Sequence, residues 1–289
     1  MTFSELAKYF EKLEETSSRL SLIDILSKLF QEIKTQEIGE VVYLIQGRIA
    51  PFYEPLEIGM SEQLVAQALA RVFGLSREEI LKDYRQIGDL GLVASKLAQA
   101  KHQKTSLSIS EVFETLKKIA QINGEGTVEK KLNLLINLIK QMDPVSAKHL
   151  TRIPLGNTRL GIGDPTVLDA MALAKLGDKS KRPILEEAYN KTSDLGLIGE
   201  TLWKESSKGV QKLTVHVGRP IRSQLAERLP DAKKILEKFE GEAHVQYKYD
   251  GFRVQIHKDR EKVRLFSRNL EETTKSMPDI VAGALKQIK

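Results

Sequence analysis

Hydrophobic side chains recur every three to four positions along most of the first half and middle of the chain, which is the spacing of a helix with one buried face. Leu6, Phe10 and Leu13 follow this spacing near the start, and residues 132–139 follow it farther along. No alternating pattern of any length, which would indicate a half-buried strand, competes with it before residue 205. The sequence therefore predicts a succession of helices over this region.

Three short patterns mark the starts of some of these helices. In each, a hydroxyl side chain is followed three positions later by a glutamate, so that the two side chains can satisfy free amides of a first helical turn. The pairs are Thr2 with Glu5, Ser76 with Glu79, and Ser108 with Glu111.

The helical region contains an internal repeat. The stretch "YRQIGDLGLVASKL" at 84–97 matches "YNKTSDLGLIGETL" at 189–202, an offset of 105 residues (189 minus 84). Upstream, "IGMSEQLVAQALA" at 58–70 matches "IGDPTVLDAMALA" at 162–174, an offset of 104 (162 minus 58). Two matches at nearly one offset predict a pseudo-twofold helical domain built from two related halves.

The composition changes after the second copy. Residues 204–224, "KESSKGVQKLTVHVGRPIRSQ", are polar, contain Gly and Ser, and end in a Pro-containing stretch that is typical of an interdomain linker. One more short helix is predicted at 230–241, and period-two patterns then predict strands at 243–250, 253–258 and 262–267.

The predicted fold class is therefore multidomain. An all-α domain of two pseudo-twofold halves is expected at residues 1–210, followed at 211–289 by an α/β domain. The second domain is small for its class, and its strands would leave an exposed sheet edge, so we expect it to be truncated.

Charge and composition restrict the function further. Lys and Arg outnumber Asp and Glu by 45 to 39, and the net charge of +6 favours a polyanionic partner. The absence of cysteine excludes disulfides and cysteine-ligated zinc, and the five histidines lack metal-ligand spacing. No run approaches the roughly 18 apolar residues of a spanning helix. We expect a monomeric cytoplasmic protein that does not associate with membranes.

Residues 248–253 form the pattern K-x-D-G-x-R on a predicted strand and the turn after it. Burial on a strand would favour the neutral, nucleophilic amine of Lys248, and Asp250 would project to the same side. Gly251 gives clearance for a ligand, and Arg253 can bind a phosphate. The pattern suits a phosphorylated substrate. The alternative is a surface hairpin in which these charged side chains form ion pairs.

These residues carry a resemblance to a known family. "YKYDGFRVQIH" at 247–257, followed by "VRLFSRNLEETT" at 263–274, resembles motifs I and III of ATP-dependent DNA ligases. The helical region, with stretches such as "GDLGLVASKLAQ" and "RLGIGDPTVLDAMALA", resembles the DNA-binding domain that precedes these motifs in archaeal and eukaryotic replicative ligases. The resemblance covers nearly the whole chain and is strongest to archaeal-type ligases.

The resemblance implies nick sealing through a lysine-AMP intermediate and DNA adenylate, in DNA replication, repair and recombination. Lys248 would be the catalytic residue, and the nucleotide would be bound by Gln246, Asp250, Gly251, Arg253 and Arg268. Gln246 stands where many relatives carry a glutamate that reads adenine, so ADP, GTP and NAD stay open beside ATP. Mg²⁺ would offset the phosphate charge, and no metal ligand is assigned.

Three Gly-containing loops of the helical domain are candidates for contacts with the backbone of nicked double-stranded DNA. They are "QGRIAP", "NGEGTVEKK" and "TRIPLGNTRLGIGDPT", and the predicted DNA-binding residues in them are Arg48, Gly124, Gly126, Thr127, Lys130, Lys131, Arg152 and Arg159. The alternative is that they are interhelical turns with solvated charges.

Two other functions remain open. The chain as it stands can be a nicked-DNA binding module without complete catalytic activity, because the later ligase motifs are expected beyond Lys289. An RNA ligase or a capping guanylyltransferase shares the lysine motif but not this helical domain. A sliding clamp is a further candidate partner.

Overall fold

The structure is a computed structural model that describes residues 1–101, 105–223 and 227–288. It is mostly helical, as the sequence predicts. The helices of the first domain are α1 (Phe3–Glu14), α2 (Arg19–Glu32), α3 (Ile38–Ile45), α4 (Glu62–Phe73), α5 (Arg77–Ile87), α6 (Leu90–Ala98), α7 (Ile109–Gln121), α8 (Thr127–Ile139), α9 (Pro144–Arg152), α10 (Asp164–Leu176), α11 (Arg182–Thr192) and α12 (Leu195–Gln211). None of the helices in these described ranges is both long enough and apolar enough to cross a bilayer.

Each half of the repeat contains six helices, α1–α6 in the first half and α7–α12 in the second. The capping boxes predicted at Thr2 and Ser108 are both present, and they begin the equivalent helices α1 and α7. These two residues also form an antiparallel bridge, next to which the Phe3 N–H donates to the Leu107 carbonyl at 2.8 Å. Equivalent segments that pair antiparallel lie across a twofold axis, so the predicted pseudo-twofold arrangement is confirmed.

The two halves exchange their packing partners. Helix α6 of the first half packs on α9 of the second, and α12 of the second half packs on α3 of the first. In the same way α2 packs on α10, and α8 packs on α4. One hydrophobic core therefore runs through both halves.

The shared "DLGL" stretch forms the same turn in both halves. The backbone leaves α5 through Gly88 at φ 76° and leaves α11 through Ser193 at φ 54°. Asp89 and Asp194 then cap the following helices with their carboxylates, which accept backbone N–H groups of the first turn of α6 and α12. The sequence match at this site thus reflects a matching local conformation.

The structure corrects the register of the upstream match. The Tyr84 hydroxyl donates to Glu62 at the start of α4, and the Tyr189 hydroxyl donates to Asp164 at the start of α10, at 2.6 Å in the second pair. The two acidic residues are 102 positions apart (164 minus 62), not 104. Both helices are rich in small apolar residues, so their sequences can be aligned in more than one register.

The region after α12 is built from shorter elements. They are α13 (Ala232–Lys238), β1 (Val254–Asp259), β2 (Lys262–Ser267) and α14 (Pro278–Gln287). The two strands form an antiparallel hairpin in which Val254 pairs with Ser267. Helix α14 packs on β2 through a small cluster that includes Leu265 and Ala284. The linker predicted at 204–224 begins too early, because α12 continues to Gln211, and its last residue, Gln224, lies outside the described residues.

The strand predicted at 243–250 is not present. This segment has no regular secondary structure, and the side chains of Val245, Tyr247 and Tyr249 are 92%, 89% and 86% exposed. A strand needs a neighbour for its backbone hydrogen bonds, and the one sheet in the described part of the chain contains only β1 and β2. The alternating pattern therefore indicates a strand, but the described part of the chain provides no neighbouring strand to which this segment is hydrogen-bonded.

Close packing between α6 and α9 gives a test of the exchanged arrangement. A Cβ at Gly91 would lie 2.6 Å from the Lys148 carbonyl oxygen, so Gly91→Ala forces the two helices apart. We expect a loss of about 1–3 kcal/mol in the free energy of unfolding, measured by urea denaturation. The control is Gly283→Ala in α14, where nothing lies within 4 Å and a gain of about 0.5–1 kcal/mol is expected. Equal effects at the two positions would contradict the close crossing.

Candidate adenylation site and nucleic-acid interface

The residues of the K-x-D-G-x-R pattern lie in the irregular segment before β1. Lys248, Asp250 and Arg253 are exposed, and within the described ranges none of them has a hydrogen bond or an ion pair. Gly251 adopts φ 156°, a conformation that favours glycine, as expected for a backbone turn. The burial predicted for Lys248 is not observed, and neither is the alternative of an ion-paired surface hairpin.

The remaining predicted nucleotide-binding residues face different cavities. Gln246 is exposed in the same irregular segment. Arg253 lines a groove of about 580 Å³ along α11, whereas Arg268 lines a cavity of about 280 Å³ beside Phe52 and Arg222. The structure therefore does not bring the predicted nucleotide-binding residues together in one pocket.

The sequence assigns no metal ligands, but one cluster among the described residues has the right ligand types. Glu11, Glu14 and His149 bring ligand atoms within 4.8 Å of one another. Both carboxylates are already bound, however, since Lys148 Nζ lies 2.6 Å from Glu11 and 2.9 Å from Glu14. A cation at this place would meet an ammonium group, so the cluster does not fit a metal.

The start of α8 has the geometry predicted for a phosphate contact. Gly124 and Gly126 have φ values of 90° and 71°, and the Thr127 hydroxyl donates to the Gly124 carbonyl. No side chain caps this helix, so its first N–H groups stay free to donate. Lys130 is exposed beside them. The free amides and the exposed ammonium group together suit an anion.

Two other predicted loops are in contact with each other. A Cβ at Gly47 would lie 3.3 Å from the Gly156 backbone, so the loop with Arg48 packs on the loop after α9. Arg48 is half-buried, with its guanidinium 4.3 Å from the centre of the Phe52 ring. These loops line a cavity of about 420 Å³ together with residues 56–61. Lys131 Nζ reaches the same loop at the Ile58 carbonyl, 3.4 Å away.

Arg152 is not available to DNA, which corrects the prediction made for it. It is only 2% exposed, and its guanidinium pairs with Asp89 at 2.5 Å and with Glu14 at 2.7 Å. Helix α9 continues through this residue and points it into the core. Arg159, by contrast, is exposed and donates to the Gly88 carbonyl at 2.8 Å. Only Arg159 of the two can reach a phosphate.

The charged cluster around Arg152 was missed from the sequence. His149 lies 2.7 Å from Glu11, and burial lowers the pKa of His149 to about 4 although Glu11 opposes this. Burial alone would raise the pKa of Glu14, but hydrogen bonds from Arg152 and Lys148 outweigh it and lower this pKa to about 2. The only signal in the sequence is the spacing of the two glutamates on one face of α1.

Comparison with known proteins identifies the family. Residues 2–172 match the family described as DNA ligase N terminus, and residues 223–289 match the ATP dependent DNA ligase domain. This chain belongs to the DNA ligase family. The second description names ATP and none of the alternatives ADP, GTP or NAD. The match over the helical region also gives no support to an RNA ligase or a capping enzyme.

Curated relatives agree with this assignment. The chain is 45% identical over 287 residues to a protein named "Probable DNA ligase" from Dictyoglomus turgidum, covering 99% of this chain and 49% of the relative. It is 43% identical to DNA ligase 2 of Thermofilum pendens, covering 97% and 49%. For the DNA ligase of Sulfolobus acidocaldarius the identity is 41%, covering 100% and 50%. The chain thus spans about half the length of the relatives it matches.

The buried His149 predicts how stability depends on pH. Its pKa is depressed in the folded state, so the unfolded chain binds the proton more tightly, and stability falls as pH falls from about 6.5 to about 4. The loss from this one residue is up to about 3 kcal/mol. His149→Gln should flatten the curve of unfolding free energy over that range, measured by urea denaturation at several pH values. The lowered pKa of Glu14 adds to the slope mainly below its ordinary value of 4.5, so an unchanged slope in the variant above that pH would contradict the assignment.

Proposed function

We propose that this chain is the DNA-binding domain and the start of the adenylation domain of an ATP-dependent DNA ligase that seals nicks in double-stranded DNA. The observation that carries the proposal is the family match over both regions, with the pattern K-x-D-G-x-R at 248–253 inside the second match. The boundary after residue 210 belongs to the same proposal. We also propose that the protein is monomeric, is located in the cytoplasm and has a sliding clamp as a partner.

In the proposed first step the Lys248 amine attacks the α-phosphorus of ATP. An N–P bond forms, the bond to the bridging oxygen breaks, pyrophosphate leaves, and the amine loses its proton. AMP then passes to the 5′-phosphate at the nick, and the 3′-hydroxyl displaces it as the strand is sealed. Mg²⁺ would offset negative charge on the phosphates.

The first test concerns the covalent intermediate. We expect mass spectrometry to find one AMP on Lys248 after incubation with ATP and Mg²⁺ of the protein extended past Lys289 to the length of its relatives. Lys248→Arg should abolish the adduct, because a guanidinium is not nucleophilic at neutral pH. The control is Lys262→Arg at the start of β2, which should leave labelling unchanged. ADP, GTP and NAD are tested in parallel.

The outcomes separate the two proposals that the chain allows. Labelling of the extended protein but not of this chain would assign these residues chiefly to DNA binding. Labelling of neither with any nucleotide would contradict the ligase proposal. The second candidate, a nicked-DNA binding module without complete activity, is favoured by the exposure of segment 243–250, which has no sheet around it in the described residues.

DNA binding is proposed for the start of α8 and for the loops that carry Arg48 and Arg159. The support is the set of uncapped amides after Gly126, the exposed Lys130 beside them, and the contact between the loops of the two halves. Because a ligase acts at any nick, these contacts should be with phosphates and not with base edges.

A substitution at Lys130 tests this interface. Lys130→Gln should weaken binding to nicked duplex and lower the slope of log affinity against log salt by roughly one unit, since one phosphate contact is lost. Fluorescence anisotropy between about 50 and 200 mM salt measures this slope. The matched control is Lys118→Gln, an exposed lysine on α7 outside the proposed interface. Equal slopes for the two variants would remove Lys130 from the interface.

A further inference from the structure

The pseudo-twofold symmetry is broken at the two aspartates that begin α6 and α12. Asp89 pairs with Arg152, a residue of the helical domain. Its counterpart Asp194 instead accepts hydrogen bonds from two tyrosines, Tyr43 at 2.7 Å and Tyr53 at 3.2 Å. Neutral rings of the first half therefore meet the aspartate of the second half, whereas a cation of the second half meets the aspartate of the first half.

One of these tyrosines also belongs to the core of the hairpin. Tyr53 is 3% exposed, and it forms a buried cluster with Phe266 at the end of β2 and with Leu270 in the turn after it. The hydroxyl of Tyr53 is held by the helical domain, and its ring is covered by the hairpin. A single side chain thus joins the two regions.

A second connection lies along residues 217–223, which we name the strap. Arg222 donates from its backbone to the Asn190 carbonyl at 2.9 Å and from its guanidinium to the Tyr189 hydroxyl at 2.6 Å. The guanidinium also lies 3.3 Å from Asp164 and stacks over the Tyr189 ring at 4.5 Å. These contacts fix the strap to α11 and to the start of α10.

The other side of the strap contacts β1. The Gln255 side chain accepts from the Ile221 N–H at 3.0 Å and donates to the Ile221 carbonyl at 2.7 Å, as a neighbouring strand would do. The Gly218 N–H donates to His257 Nδ1 at 2.9 Å. The strap is therefore bound on one side by the helical domain and on the other by the hairpin.

We infer that Tyr53 and Arg222 form a two-point latch that fixes the hairpin on the helical domain and so positions Lys248, six residues before β1, relative to the bound nick. Both are positioning residues. The consequence for catalysis rests on the proposed ligase function, whereas the latch itself does not.

The attachment of the hairpin to the helical domain can be tested on this chain without DNA or nucleotide. The sequence has no cysteine, so spin labels can be attached specifically at Lys82→Cys on α5 and Glu261→Cys in the hairpin turn. Double electron–electron resonance should give one narrow distance distribution. The double variant Tyr53→Ala with Arg222→Gln should broaden it. An unchanged narrow distribution in that variant, or a broad one before any change, would overturn the latch.

Controls separate the latch from general destabilisation. Tyr53→Phe keeps the ring against the hairpin, so its distance distribution should stay narrow. Arg228→Gln makes the same charge change on an exposed arginine outside the strap, and its distribution should also stay narrow. Leu270→Ala removes the contact from the hairpin side and should broaden the distribution without touching the helical domain. Circular dichroism should show helix content unchanged in all variants.

The catalytic part is tested on the protein extended past Lys289. Tyr53→Ala alone, which leaves Arg222 beside Arg268 intact, should form lysine-AMP at a rate within about twofold of the parent, since this step needs only the nucleotide site. Its single-turnover rate of nick sealing should fall roughly 10- to 100-fold, because the adenylated lysine is no longer held in register with the nick. Equal losses in both steps would overturn the positioning role, whereas the absence of adenylation in the parent would contradict only the proposed function.

Discussion

Asp89 and Asp194 each begin a helix and at the same time bind a side chain from the opposite half of the helical domain. In each aspartate Oδ1 accepts a backbone N–H group of the following helix and also a side-chain donor from the opposite half, Arg152 of α9 for Asp89 and Tyr43 of α3 for Asp194. Neither aspartate can move without losing both a helix start and an interface. The relative position of the halves, and with it the placement of the loops that contain Arg48 and Arg159, depends on these two residues.

The two aspartates have different partners: charged side chains surround Asp89, whereas tyrosine hydroxyls bind Asp194. Asp89 lies in a charged cluster with Arg152 and Glu14, where removal of one partner would leave a buried charge unpaired. Asp194 is bound by tyrosines, which combine a polar group with a broad apolar ring. Such a ring can be covered by another part of the chain, and Tyr53 is covered by the hairpin.

Features set by neighbours in sequence were predictable, and features set by distant partners were not. The capping boxes at Thr2 and Ser108 and the repeated "DLGL" turn follow from residues within a few positions of one another. The sequence predicts that Arg152 binds DNA. The prediction is wrong because the ion-pair partner of Arg152, Glu14, lies 138 positions away and cannot be recognised from the local pattern. The strand predicted at 243–250 failed for a related reason, since a strand depends on neighbours that its own pattern cannot supply. The Tyr53 contact with Phe266 likewise has no signature in the sequence.

The exchange of packing partners between the halves also has a consequence for synthesis on the ribosome. Helix α3 is covered by α12, and α6 is covered by α9. A nascent chain that has emerged only through the first repeat therefore exposes apolar faces whose partner helices have not yet been synthesised. The domain cannot fold one half at a time, and its N-terminal helices must wait in a collapsed, incompletely packed state until the second repeat has left the exit tunnel.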